Sequence, residues 1–434
     1  MLRFRPSELK VRLSHIASSV FKHALRFQYQ LLGAIVVAVL LPSLVRWEFD
    51  PRYWSLAEQR NTMVFSTSAI VLGMLMLRAI EALPDVRPVR YIIPTQTAAF
   101  AFALAIILFG RLSYNRYLLP TSFALSVLWF FAIQVLAASR SAPHFHVVPF
   151  GNVQALFSID NVRWTMLEQP DLTQIESDGI IVDLRADLDR DWERFITDCA
   201  IRGVRVFHVK QISERLTGRV EIEHLSENTL GSINPQSAYG QIKHFFDWVF
   251  ALVAGILLLP MFAVIAIAIK IDSPGPVFFL QSRVGYGGRP FTCFKFRTMA
   301  NRSAGEMSRD KAMTRSDDPR ITRVGRFLRR TRLDELPQLL NVLRGEMSWI
   351  GPRPEAQELS KWYEEELPFY RYRHVVRPGI SGWAQVNQGH VVEVDQVMAK
   401  LHYDFYYIKN YSLWLDILIF FRTIFAVFTG FGAK

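Results

Sequence analysis

The sequence predicts an α+β membrane protein in three parts. A bundle of four transmembrane helices comes first, then a small α/β middle domain. Last is a C-terminal monotopic domain, seated on the membrane by a proline-broken re-entrant helix and interfacial helices. Three observations predict this. Four apolar stretches free of Asp, Glu, Lys and Arg lie between residues 29 and 138. Residues 143–230 then alternate short apolar runs with one amphipathic stretch. A fifth apolar run, 245–271, has a proline near its middle and precedes about 160 mixed, polar residues.

The bulk numbers agree. The chain has 434 residues, of which 50% are hydrophobic, and its mean hydropathy is +0.15. These values suit a membrane protein with a substantial polar part. The formal net charge is +11. Such a balance fits nucleic acid, anionic lipid headgroups or phosphate-bearing substrates, and also the loop charge of a positive-inside membrane protein. No nucleic-acid partner is expected. Cys199 and Cys293 lie far apart with no CxxC pattern. A disulfide framework or zinc site is not expected, and reduced thiols in a cytosolic compartment are the default.

Residues 1–28 carry Arg3, Arg5, Lys10, Arg12, Lys22 and Arg26 without a signal-peptide core. They read as a basic, amphipathic cytoplasmic arm near anionic lipid. The spans follow within 29–140: "YQLLGAIVVAVLLPSLV" (29–45), "TMVFSTSAIVLGMLML" (62–77), "IIPTQTAAFAFALAIILF" (92–109) and "LLPTSFALSVLWFFAIQVLAA" (118–138). Four crossings from a cytoplasmic start return the chain to the cytoplasm near Arg140.

Residues 141–230 form the small cytoplasmic α/β domain. "FHVVPFG", "GIIVDL" and "VRVFHV" read as strands, and "DRDWERFITDCAIRG" (189–203) as a helix with a glycine stop. A partly parallel sheet is expected. There is no GxGxxG or GKS/GKT signature, so a regulatory or dimerising role is favoured over nucleotide binding.

The last domain, 231–434, starts with a polar linker (231–242). Segment 245–271 is long enough to span, but Pro260 deletes a backbone donor in its middle. A proline-kinked span is one reading. Lys243 and His244 before it and Lys270 after it favour re-entry from the cytoplasmic side. Segment 411–431 contains Asp416 and Arg422 and reads as an interfacial helix.

Cations dominate this domain's chemistry. "FKFRTM" places Lys295 and Arg297 on one strand face. Arg326, Arg329, Arg330 and Arg332 cluster in "RVGRFLRRTR", Arg353 lies between prolines in "GPRPE", and Arg377 precedes a Pro-Gly turn. Taken singly, each is an ordinary surface charge. Several on rigid turns beside carboxylates could cradle a polyanion, because arginine binds phosphate in a bidentate fashion. The carboxylates are Asp334 and Glu335 in "TRLDELPQLLNVLRG". Pro337 is tolerated only in a first helical turn, so Asp334 lies at a helix start. Simple N-capping is one reading. The other is a nucleophile forming an acyl phosphate, with a divalent cation bridging Asp334 to a diphosphate. Spacing does not divide the roles of Asp334 and Glu335.

Three ordered runs carry a resemblance. They are "DSPGPVFFLQSRVGYGGRPFTCFKFRTM", "DPRITRVGRFLRRTRLDELPQLLNVLRGEMSWIGPRPE" and "RPGISGWAQVN". Over residues 243–434 the chain closely resembles the bacterial sugar transferases, the monotopic polyprenyl-phosphate phosphoglycosyl transferases. With its spans and middle domain it is similar to long-form members, such as undecaprenyl-phosphate glucose- and galactose-phosphate transferases of exopolysaccharide or O-antigen synthesis.

The resemblance implies a two-step reaction on the cytoplasmic face of the bacterial inner membrane. Asp334 would attack a UDP-sugar, releasing UMP, and undecaprenyl phosphate would then take the sugar phosphate. It implies Glu335 as the dyad partner, Mg2+ as cofactor with Asp334 as its ligand, and Lys295, Arg297, Arg329, Arg353 and Arg377 as phosphate- or substrate-binding residues. It also implies Pro260 as the break in the re-entrant helix, and a homodimer. The chain departs from the family at Gln388 and Gly389, where Gly-Arg is usual, at Arg332, where serine is common, and in its short middle domain. A non-catalytic scaffold of polysaccharide assembly and a conventional glycosyltransferase remain the competing readings. The products discriminate: UMP, neither nucleotide, or UDP, respectively.

Overall fold

A computed structural model describes residues 26–46, 51–83, 86, 88–138, 143–171, 178–222, 238–300, 320–388 and 394–429. Most of the basic arm and residues 231–237 of the expected linker lie outside these. The chain divides into two compact units, Met1–Leu216 and Thr217–Lys434. Residues 217–222 therefore belong with the second unit. There, Trp383 Nε1 donates to Gly218 O at 2.9 Å and Val220 N to His402 O at 3.0 Å.

In the first unit all four expected spans are helical. The first is α1 (Phe27–Ile35), a π-helical turn (Val36–Leu40) and α2 (Leu41–Arg46); then come α3 (Ala57–Glu81), α4 (Ile92–Phe109) and α5 (Leu118–Ala138). Helix α3 is longer than its apolar core because Glu58, Gln59, Arg60 and Asn61 continue the helix before it. Two cross-helix hydrogen bonds join polar side chains of the bundle. Arg78 donates to Gln30 Oε1 at 2.8 Å and Gln134 to Glu81 Oε1 at 2.6 Å. Close helix approach needs small residues. A Cβ on Gly33 would stand 2.1 Å from the Trp129 ring.

The α/β part has β1 (His144–Val147), β2 (Arg163–Met166), β3 (Gly179–Val182), α6 (Arg190–Ile201), β4 (Val206–His208) and α7 (Val209–Thr217). The sheet order is β2-β1-β3-β4, and every pairing is parallel. Central β3 is buried along its length, as a sheet covered on both faces requires. Asp189 caps α6 by accepting from Trp192 N at 3.1 Å. Edge strand β2 had no signal in the sequence because its residues are mostly exposed and mixed in polarity.

The long helix of the second unit is α8 (Ala238–Asp272), 35 residues long, with Pro260 inside it. The expected break is therefore not a gap between two helices. A helix of this length reaches about 50 Å. Both of its halves pack on the same polar body. Ala251 meets Leu339, Val342 and Met347, while Ile265 and Ile269 meet Phe296 and Leu328. The body comprises the antiparallel hairpin β5 (Phe278–Val284) and β6 (Pro290–Phe296), helices α9 (Arg323–Thr331) and α10 (Leu339–Leu343), and the parallel pair β7 (Ser348–Ile350) and β8 (Gly379–Ser381). Helices α11 (Gln357–Glu366), α12 (Trp383–Asn387), α13 (Val394–Lys409) and α14 (Leu413–Thr429) complete it.

Among the described residues, five helical segments are long and apolar enough to cross a membrane: the four of the first unit and Tyr239–Asp272. Helix α14 is not among them. It buries Leu415, Leu418 and Ile419 and exposes Phe420 and Phe425, which is the two-faced character of an interfacial helix.

A buried ionic network ties the start of α8 to the body. Lys243 Nζ lies 2.8 Å from Asp416 Oδ2 and 3.6 Å from Asp247 Oδ2. Tyr407 donates to Asp416 at 2.9 Å, and Ser348 donates to Asp247. Removing the one cation leaves two buried carboxylates facing each other, which costs about 3–5 kcal/mol. Lys243→Met should therefore lower the thermal midpoint of the detergent-solubilised protein by many degrees, and Lys243→Arg by much less. Equal midpoints for the two variants would refute the network's role.

Candidate active site

Three chain segments meet at the Asp334–Glu335 pair. Arg332 adopts a left-handed backbone (φ 55°) that ends α9. The chain then enters a 3₁₀ turn, Leu333–Gln338, with Pro337 inside it. Strand β6 runs alongside and carries Lys295. The third segment is the Pro352–Pro354 turn, which carries Arg353. That turn is pressed against the Pro378–Gly379 turn, with Gly351 N donating to Ser381 O at 2.8 Å and Gly379 N to Pro352 O at 3.0 Å. A Cβ on Gly379 would stand 2.1 Å from Gly351 N. Glycine is required at this contact because any side chain would force the two turns apart.

The two carboxylates have opposite surroundings. Glu335 is buried, with Lys295 Nζ 2.8 Å and Arg353 Nη2 2.6 Å from Oε1. Burial alone would raise its pKa, but the charges of Arg353 and Lys295 override that and hold it well below the usual carboxylate range. Asp334 forms no hydrogen bond or ion pair of its own with any described residue. Burial, aided by the Glu335 charge, pushes it up to about 6, against the lowering influence of Lys295, Arg353 and Arg329. The capping expectation fails here: no side chain caps the 3₁₀ turn. One carboxylate is an ionised clamp. Its neighbour is unpaired, close to neutral pH in its titration, and faced by cations. That is the arrangement a nucleophile toward a phosphate ester needs.

The expected phosphate-binding residues separate into two groups. Lys295, Arg353 and Arg329 lie at the pair. Arg329 Nε donates to Thr298 Oγ1 at 2.9 Å and its charge acts on Asp334. Arg297 instead caps the C-terminal end of α8, donating to Ser273 O at 2.7 Å and Pro274 O at 2.8 Å. Arg377 donates to Gly345 O at 3.0 Å and covers the Tyr286 ring at 5.4 Å.

A supporting layer had no signal in the sequence. Arg373 Nη2 donates to Arg353 O at 2.8 Å and pairs with Asp404 at 2.8 Å. Arg283 donates to Pro354 O, and Lys400 pairs with Glu355. Buried Asn341 accepts from Phe294 N at 3.1 Å and donates to Thr292 O at 2.7 Å, fixing α10 to β6. These partners lie some 20 to 70 positions apart in the chain, beyond the reach of any local pattern.

Among the described residues no group of three or more His, Cys, Asp or Glu could hold a metal ion. The site does fit a magnesium ion that arrives with a diphosphate. Such an ion needs only one or two protein carboxylates and takes its other ligands from phosphate and water. Asp334, the unpaired carboxylate, would be that ligand.

The chain is similar to known proteins. A family model described as "Bacterial sugar transferase" matches residues 238–430. The UDP-N-acetylgalactosamine-undecaprenyl-phosphate N-acetylgalactosaminephosphotransferase of Aeromonas hydrophila is 43% identical over 406 residues, 93% of this chain and 95% of that protein. The UDP-glucose:undecaprenyl-phosphate glucose-1-phosphate transferase of Escherichia coli K12 is 43% identical over 196 residues, 44% of this chain and 41% of that protein. An uncharacterized sugar transferase of Haemophilus influenzae is 30% identical, covering 76% of this chain and 80% of its own.

The two acids should respond oppositely to neutralisation. The folded pKa of Asp334 is raised, so its contribution to stability is present at low pH and lost as pH rises toward 6. Asp334→Asn should match the parent midpoint near pH 4 and exceed it above pH 6. For Glu335 the folded pKa is depressed, so its contribution is present at neutral pH and lost in acid. Glu335→Gln removes the directly paired counter-charge of buried Lys295 and Arg353, leaving only Asp334 nearby, and should cost up to about 3–5 kcal/mol at pH 7. Thermal unfolding of both variants from about pH 2 to pH 8 checks the two signs.

Proposed function

The chain belongs to the bacterial sugar transferase family and is a phosphoglycosyl transferase; from that premise we propose that it moves a sugar 1-phosphate from a UDP-sugar to undecaprenyl phosphate through Asp334. The carrying observation is the contrast within the dyad: Glu335 is fully paired with Lys295 and Arg353, while Asp334 has no partner.

In the first step an Asp334 oxygen bonds to the β-phosphorus of the UDP-sugar. The bond from that phosphorus to the bridging oxygen breaks, and UMP leaves with the electron pair. Arg353, Lys295 and Arg329 face the phosphoryl oxygens and offset charge that develops there. Glu335 holds the Lys295 and Arg353 head groups in place, so it acts as a positioning residue. In the second step a phosphate oxygen of undecaprenyl phosphate attacks the same phosphorus and frees the Asp334 carboxylate. A magnesium ion at Asp334, when bound with the diphosphate, would neutralise charge between the reacting anions.

The product starts a bacterial exopolysaccharide, O-antigen or capsule chain on the cytoplasmic face of the inner membrane. Two features support a helix that enters and leaves the membrane on one side. Both halves of α8 pack on the polar body, and its two ends are tied there, by Asp416 to Lys243 and by Asp272 to Val324 N at 3.0 Å. A helix returning to the side it entered satisfies these contacts. The whole-length similarity to the Aeromonas hydrophila enzyme makes UDP-N-acetylgalactosamine the first donor to test.

The test is nucleotide release by the protein in nanodiscs with magnesium, undecaprenyl phosphate and a panel of UDP-sugars. UMP should form, and Asp334→Asn should reduce it about a thousand-fold or more. UDP, or neither nucleotide across the panel, would sink the reading. Activity should rise with pH through about 6 as Asp334 ionises, so a flat profile from pH 5 to 7 would exclude Asp334 as the nucleophile. A cysteine at Ile271 should react with an impermeant maleimide only from the cytoplasmic side; labelling from outside would refute re-entry.

A further inference from the structure

Helix α9 has two unlike faces. Val324 and Leu328 turn inward onto Ile265, Ile269 and Phe296. A Cβ on Gly325 would stand 2.1 Å from Thr298 O, so the helix is seated against the chain after β6 as closely as backbone allows. Arg329 also points inward, to Thr298. The outward face is Arg323, Arg326, Phe327 and Arg330, all exposed. Their spacing puts them on one helical stripe. Phe327, at its centre, is 59% exposed. Among the described residues none of the three arginines forms an ion pair or hydrogen bond through its side chain, and α9 contains no acid.

Helix α8 fixes where this stripe lies. Asp272, the last residue of α8, accepts from Val324 N at 3.0 Å. Helix α9 therefore starts where the apolar helix ends. Just before that end, Val264, Ile267 and Ile271 are 66%, 60% and 81% exposed, a surface suited to hydrocarbon. Lys270 is exposed beside them. The change from bare apolar side chains to Lys270 and Asp272 marks the level at which hydrocarbon gives way to headgroups. Arg323 stands next to that level. A single exposed phenylalanine or arginine is ordinary. Three cations around a phenylalanine, without an acid and at the end of a membrane-suited helix, are a surface of one charge sign with an apolar centre.

We propose that the Arg323, Arg326, Phe327 and Arg330 stripe docks on anionic phospholipid headgroups, the arginines binding lipid phosphates and Phe327 entering between the headgroups; this rests on the reading of α8 as a helix that enters the membrane. A guanidinium pairs with phosphate through two parallel hydrogen bonds. Each basic side chain near an anionic bilayer favours attachment about five-fold. An aromatic ring among cations is the composition of a segment lying in the interface. The inner apolar face of α9 is already used against α8, so attachment is shallow and depends on charge. It also bears on the dyad. Helix α9 runs through Arg332 directly into the Leu333–Gln338 turn. Holding α9 on the bilayer holds Asp334 at a set height above it, within reach of a lipid that presents a phosphate.

The experiment uses the full-length protein with a nitroxide on Phe327→Cys, which keeps an apolar ring at that position. Cys199 and Cys293 are buried and escape the label. Collision of the nitroxide with an aqueous nickel chelate is read by electron paramagnetic resonance. The protein is placed in nanodiscs of phosphatidylcholine, alone or with about one third phosphatidylglycerol. Phosphatidylglycerol should lower accessibility about five-fold or more. High salt should restore it, because screening shortens the reach of surface charge. Arg323→Gln, Arg326→Gln and Arg330→Gln together should abolish the response, and the same three changes to lysine should retain most of it. The basic residues of segment 1–28 are the same in every variant, so they do not supply the difference. The salt comparison needs no further substitution and judges the charge dependence even if the glutamine variant folds poorly. Equal accessibility in the two lipid compositions would overturn the proposal, as would an equal response in the labelled parent and the glutamine variant. Low accessibility already in detergent would also overturn it, because protein rather than lipid would then cover the stripe. The nitroxide reads contact without turnover and on whichever side α8 ends. Failure of the transferase reading or of re-entry therefore shows separately, as missing UMP or as labelling of Ile271→Cys from outside.

Discussion

The pairing of Glu335 with Lys295 and Arg353 is the constraint on which the catalytic unit depends. It joins a 3₁₀ turn, a strand and a proline-bounded turn that are separate in sequence. It also creates an asymmetry between adjacent acids. With both cations engaged by Glu335, Asp334 is left unpaired in a positive field. Burial raises its affinity for a proton, and the cations limit that rise, so the group ionises just below neutral pH. A carboxylate fully matched by an arginine would be a poor nucleophile, and one buried without cations would stay protonated. The dyad avoids both outcomes by giving the ion pairs to one member only.

The clamp is itself held from behind. The backbone carbonyl of Arg353 accepts from Arg373, whose guanidinium is fixed by Asp404 and Tyr370. Lys400 and Arg373 hold Glu355 ionised, far below the usual carboxylate range despite its burial. Buried charges are costly unless paired. Here the cost goes into fixing the direction in which Arg353 points, a precision that catalysis by electrostatic preorganisation needs.

Membrane attachment follows a similar logic. Helix α8 is apolar enough to enter a bilayer, yet Lys243, Asp247 and Asp416 bind its first turns to the body and Arg297 binds its end. Arg297 has a structural role that its residue type does not reveal. Its motif and charge suggest phosphate binding, but its terminal nitrogens satisfy the Ser273 and Pro274 carbonyls where the helix stops. Helix ends leave carbonyls unpaired, and a buried end needs such a donor.

By itself the sequence determined the parts whose signals are local. Length and lack of charge marked the four spans, alternating runs marked β1, β3 and β4, and Asp189 with Gly203 marked the limits of α6. The motif "RLDELPQ" placed the acids in a first helical turn beside cations. Edge strand β2 carried no such signal, and polar α3 residues hid one end of a span. Only tertiary structure decided which acid is clamped and which is free, that Lys295 and Arg353 serve Glu335, that Arg297 and Arg377 bind backbone carbonyls, and that α8 continues through Pro260. The reason is physical. A local pattern reports backbone preference and which face is apolar, whereas the ionisation and partner of a side chain depend on charges brought near it by folding from distant parts of the chain.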